Sequence, residues 1–199
     1  MRTGNGAAGQ HQLDGYGWVL DAAWVLVQGG HRLYSETWRA MRGFADMVTA
    51  SWAAPDAGIW EIRDDAAHHV HSKLMAWLAL DRALRIGATH RLGGRQRRRW
   101  QSSLDRLGTE IRSKGLDPAR GTYTRTYGSA DLDAALLVLP LIGLEDPAAT
   151  VVRRTVDAIR AELGAGGPSS TGTRPARTAW RAAKEPSCPV RSGWSRRWP

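Results

Sequence analysis

The residues that invite a chemical reading are Gly58-Ile59-Trp60-Glu61, on a connection between two helices. An indole offers a flat apolar face to a pyranose ring. A carboxyl beside it, partly withdrawn from water, has its pKa raised and can hold a proton near neutral pH. Together they suit acid catalysis on a sugar. Spacing alone leaves an ordinary solvated Glu61 open as the alternative. Other residue types compete less well. His68, His69 and His71 raise a metal site, but His69 and His71 are two apart, which suits a strand better than one face of a helix. No cysteine or third-ligand cluster supports them, so no metal is expected. Arg95, Arg97, Arg98 and Arg99 raise nucleic acid, but a solvated face at a helix start accounts for them better. Asp14, taken by itself, reads as a local cap or ion-pair residue. Asp64-Asp65 reads as a loop tip adjoining the site, and Glu36, Glu110, Glu145 and Glu162 as helix-end or surface acids.

The elements that must position Trp60 and Glu61 follow from the apolar periodicity. Leu13, Tyr16, Leu20, Ala23 and Val27 recur at spacings of three and four, which predicts a helix over 12–27 stopped by Gly29-Gly30. Trp38, Met41, Phe44, Val48 and Trp52 predict a second over about 35–53. Pro55-Asp56-Ala57-Gly58 predicts a turn and 59–63 a short irregular segment. Leu74, Trp77, Leu78 and Leu84 mark a helix over about 69–86, and Trp100, Leu104, Leu107 and Ile111 one over about 96–113. A loop over 115–128 is expected to hold a short strand at 123–126. A short apolar helix over 131–139 is expected to stop at Pro140. Asp146-Pro147 reads as the start of a last helix ending at Gly164. Tyr16, Trp18, Trp24, Trp38 and Trp77 are expected mostly in the core. The reading is all-α, with no Gly-rich phosphate loop.

Composition bounds the function further. Apolar residues are 42% of 199, enough for a real core, and the net charge is +9. The charge is unevenly placed: residues 168–199 hold seven Lys or Arg against one acid, and no Leu, Ile, Met or Phe. Such a segment cannot bury enough apolar surface to offset its ordering entropy, so a disordered basic tail is expected after Gly167. The single cysteine, Cys188, excludes an internal disulfide. No stretch approaches the roughly 18–20 apolar residues of a membrane span, and the first residues carry no apolar signal core. A cytoplasmic location is the expectation, without membrane or nucleic-acid partners.

Four stretches in fixed order carry a resemblance to a known family. They are Gly4-Asn5 through Leu13-Asp14-Gly15-Tyr16-Gly17; Gly58-Ile59-Trp60-Glu61-Ile62-Arg63; His71-Ser72-Lys73-Leu74-Met75-Ala76-Trp77 with Leu80-Asp81-Arg82; and Leu132-Asp133-Ala134-Ala135-Leu136-Leu137 with Leu139-Pro140. In this combination the chain resembles glycoside hydrolase family 15, which includes glucoamylases, glucodextranases and bacterial trehalases. The resemblance implies part of an (α/α)6 barrel over 1–167 and hydrolysis of α-glucosidic bonds with inversion. It implies Glu61 as the general acid, Asp14 hydrogen-bonding sugar hydroxyls, and Trp60 and Arg63 lining the site. The expected partner is an α-glucoside or α-glucan, with no cofactor. An inverting mechanism needs a second carboxylate roughly 6.5–9.5 Å from the acid. In the family that base lies downstream of anything in this chain.

Both ends look artificial under the same resemblance. Family members commonly carry Val where Met1 stands, as a GTG codon read as a start would produce. The codons for Thr178 through Ser192, read from the third base, permit Asp-Gly-Leu-Ala-Gly-Gly-Glu-Gly-Ala-Phe-Leu-Pro-Cys-Ser-Phe, the family's continuation. Residues 168–199 are therefore read as a frameshifted translation, which sequencing the DNA around codons 167–168 tests. On these readings the chain is an incomplete barrel, expected to be inactive alone and to aggregate through its open inner ring. The reading from another class is a non-catalytic helical binding module with a basic tail.

Overall fold

The computed structural model describes residues 11–60 and 65–164. The tail beyond Gly167 with its proposed frameshift, Met1, and the segment 61–64 lie outside the described residues. The elements are α1 (Asp14–Gln28), α2 (Ser35–Ser51), α3 (Val70–Thr89), α4 (Gly94–Lys114), a ribbon of β1 (Leu116–Asp117) and β2 (Thr122–Tyr123), a 3-10 turn over Ala134–Val138, α5 (Leu139–Ile142) and α6 (Thr150–Leu163). The strands pair antiparallel, Leu116 opposite Tyr123 and Asp117 opposite Thr122.

Helix α3 is the centre. Nearly its whole first half is buried, from Val70 through Ala76, and Leu78, Ala79, Leu80, Ala83 and Ile86 follow. A helix buried around most of its circumference must be covered on several sides, and α1, α2 and α4 all pack on it. Two glycines set the approach. A Cβ at Gly17 would lie 2.5 Å from the Met75 carbonyl oxygen, so α1 meets the backbone of α3 directly. A Cβ at Gly108 would lie 3.1 Å from the Trp77 indole nitrogen, which brings α4 close on another side. The predicted stripes enter one core: Leu13, Leu20 and Ala23 from α1, Trp38, Met41 and Val48 from α2, and Trp100, Leu107 and Ile111 from α4. Trp100 is fully buried because its indole N–H finds Asp46 Oδ1 at 2.9 Å.

Hydrogen bonds bring the starts of α1 and α3 to the same end as the finish of α2. Lys73 near the start of α3 reaches the carbonyl of Trp52, just past α2, and the Leu13 amide, just before α1, reaches Asp56. The 124–133 segment runs beside this end: Val70 N–H donates to the Arg125 carbonyl at 2.9 Å, and Tyr127 N–H to the His68 carbonyl at 3.0 Å.

Several expectations need correction. Pro140 does not stop a helix. It stands in the first turn of α5, where its missing N–H costs nothing. The turn before α5 is 3-10 and starts at Ala134, because Asp133 is extended and caps it. Asp146 caps a turn, its Oδ1 accepting from Ala148 N–H at 2.7 Å, and α6 begins one turn later at Thr150. The strand falls at 122–123, where it can pair with β1. Trp18 is not core: with Val19, Val25 and Leu26 it forms an outer strip on α1, each 44% to 58% exposed. Arg95, Arg97, Arg98 and Arg99 are exposed, as a solvated face requires.

Candidate active site

The connection from Trp52 to Trp60 leads directly into Glu61, and a different neighbour holds it at almost every step. Trp52 is buried. The Lys73 ammonium, with no exposed surface, donates to the Trp52 carbonyl at 2.6 Å and to the Ala54 carbonyl at 2.5 Å. Burial pulls its pKa down, and Asp56 opposes that most strongly. Asp56, itself buried, accepts from Leu13 N–H at 3.1 Å and exchanges two backbone hydrogen bonds with Ala67 at 3.0 Å. Ala57 N–H donates to the His11 carbonyl at 3.0 Å, and the Gln12 amide to the Gly58 carbonyl at 3.4 Å. Gly58 has φ +68°, and a Cβ there would strike the His69 ring at 2.8 Å. Only glycine meets both demands.

Trp60 ends this run at 57% exposure. Its indole N–H is pinned to the Asp133 carboxylate, 2.9 Å from Oδ1 and 3.1 Å from Oδ2. Asp133 is 5% exposed and also accepts from Ala135 N–H at 2.9 Å. The edge of the ring is fixed while much of the ring faces solvent, which is the form of a stacking platform.

Asp14 sits at the start of α1, 9% exposed, with Oδ1 buried and without a hydrogen-bond partner among the described residues. The docking of 11–13 onto 56–58 puts Asp14 at the same end as Trp60. Two of the four expected site residues thus lie at one end of the fold. Glu61 and Arg63 lie outside the described residues.

His71, Lys73, Asp56 and Asp133 also belong to this end, and none of them is expected in a sugar site from the sequence. Asp133 and Lys73 fall inside family-like stretches, but their partners are 73 and 21 residues away. The three histidines go separate ways. His68 stacks on Tyr127 at 5.4 Å, His69 packs on Gly58, and His71 is buried. Among the described residues no group of three His, Cys, Asp or Glu could hold a metal ion.

Burial lowers the His71 pKa below its ordinary value, against the pull of Asp14, Asp133 and Asp56, with His69 adding to the lowering. His68 and His69 are lowered too, burial again first. At a pH above the ordinary histidine pKa both folded and unfolded chains are neutral here. As pH falls through that value the unfolded chain takes up protons that the folded chain refuses, so stability falls. Urea midpoints are expected to drop between about pH 7 and about pH 5.5, and His71→Asn to flatten that slope. An unchanged slope would mean that His71 is not held neutral by the fold.

Comparison with known proteins gives the family and the fold. The family model of glycosyl hydrolases family 15 matches residues 1–181. The chain is 34% identical over 164 residues to a trehalase of Mycobacterium tuberculosis, covering 82% of this chain and 24% of that protein. It is 32% identical over 147 residues to a trehalase of Thermoplasma acidophilum, covering 72% and 24%. The chain thus spans about a quarter of the length of these curated relatives. A solved wild-type glycosidase superposes with a TM-score of 0.66, and a glycosidase variant in complex with glucose with 0.65. Both are at 24% identity, over 80% of this chain and 42% of theirs. At that identity the likeness is one of fold: the all-α arrangement expected as part of an (α/α)6 barrel.

Proposed function

The chain belongs to glycoside hydrolase family 15, and from that premise we propose that it forms the acid-bearing part of a site that hydrolyses α-glucosidic bonds with inversion. Glu61 protonates the departing glycosidic oxygen. Trp60 stacks on the sugar ring, Asp14 accepts from its hydroxyls, and Arg63 lines the site. The base that activates water is assigned to no residue here. Trehalose is the first substrate to try, because the curated relatives reported above are trehalases.

The observation that carries this reading is the half-exposed Trp60 indole, pinned by Asp133, at the end of the fold where Asp14 Oδ1 is buried without a hydrogen-bond partner among the described residues. A nitrogen-labelled chain is titrated with trehalose and with glucose, following the Trp60 indole N–H signal, assigned through Trp60→Phe. Saturable movement of that signal is expected, together with its weakening in Asp14→Asn. An indole that ignores both sugars at high concentration would end the reading.

A further inference from the structure

Two buried polar atoms at the paired starts of α1 and α3 have no hydrogen-bond partner among the described residues, Asp14 Oδ1 and His71 Nδ1. Their residues are 9% and 2% exposed. Gly17, one turn into α1, meets the backbone of Met75, one turn into α3. That contact lays the first turns of the two helices side by side. Asp14 is accordingly the strongest charged influence on His71, ahead of Asp133 and Asp56. Buried polar atoms are ordinarily paired, and two orphans on adjoining turns call for a ligand that pairs both.

A hydroxyl group is such a ligand, since it donates and accepts at once. A carboxylate oxygen can only accept, and a neutral imidazole N–H can donate. We infer that His71 is a further sugar-binding residue: Asp14 Oδ1 accepts from one ring hydroxyl while His71 Nδ1–H donates to the oxygen of the same hydroxyl. Burial favours the neutral ring this requires. The inference rests on the reading of this end as a sugar site and adds to it a residue and a tautomer.

The test uses the full chain with nitrogen-labelled histidine, titrated with trehalose and with glucose. The His71 Nδ1 signal is expected to move saturably, at the same sugar concentrations that move the Trp60 indole. His71→Ala is expected to weaken binding by ~10-fold, the loss of about one buried hydrogen bond. His71→Asn, whose amide nitrogen stands near the Nδ1 position, is expected to recover most of it. Should His71→Ala fail to fold, the labelled unmutated chain decides by itself. A Trp60 signal that responds while His71 stays silent, or undiminished affinity in a folded His71→Ala, overturns the inference alone. Silence of both signals overturns the sugar-site reading and the inference with it.

Discussion

Glu61→Gln is expected to lower hydrolysis of trehalose or maltose by about 10²–10⁴-fold, the range that a positioned general acid contributes. Gln keeps the shape of the side chain and has no proton to give to the leaving oxygen. Sugar binding at Trp60 should therefore survive the substitution. A substrate whose leaving group needs no protonation, such as a glycosyl fluoride, should lose much less. The comparison is made with the chain supplemented by the downstream part of a family 15 trehalase, which supplies the second carboxylate that inversion needs. Equal losses on both substrates would assign Glu61 another role. Undiminished hydrolysis would remove it from the mechanism.

The second large effect is expected at Lys73. Its ammonium is fully buried against the Trp52 and Ala54 carbonyls. Lys73→Met leaves the buried Trp52 carbonyl without a donor, while the Ala54 carbonyl, on an exposed residue, recovers water. Charge-assisted hydrogen bonds of this kind contribute roughly 1.5–3 kcal/mol each. Met also removes the cost of burying an ammonium, whose pKa burial already depresses. A net loss of about 2–3 kcal/mol follows, read as a lowered urea midpoint. The connection to Trp60 should loosen with it, so the Trp60 indole signal should broaden or shift. Lys73→Arg should not restore either, because a planar guanidinium cannot replace a compact ammonium between two carbonyls. A midpoint within about 0.5 kcal/mol of the unmutated chain would contradict this account.

How legible was all this in the residues? The stripes of α1, α2 and α4 were plain, because three-and-four spacing follows from the helix repeat itself. The breakers misled where they have two readings. Pro140 ends one helix or begins the next, and only the extended Asp133 before the 3-10 turn decides it. Asp146 caps a turn as readily as a helix. Trp18 fell on the outer strip of α1, since an amphipathic stripe says which face is apolar but not whether a neighbour covers it. The site was less legible than the fold. Trp60 was legible from its residue type beside Glu61, and the site role of Asp14 came from the resemblance. Asp133, Lys73 and His71 depend on contacts that no local pattern carries, with partners from distant parts of the chain.

The run from Trp52 to Gly58 is gripped mainly by its backbone: the Trp52 and Ala54 carbonyls, both backbone groups of Asp56, the Ala57 amide and the Gly58 carbonyl. The side chains of Ala53, Ala54 and Pro55 face solvent. Shape and spelling are therefore separable here. Over evolutionary time those three positions are free to drift, while the anchors at Lys73, Asp56 and Gly58 are not. A lineage could rewrite all three of those letters and still deliver Trp60 to the same place.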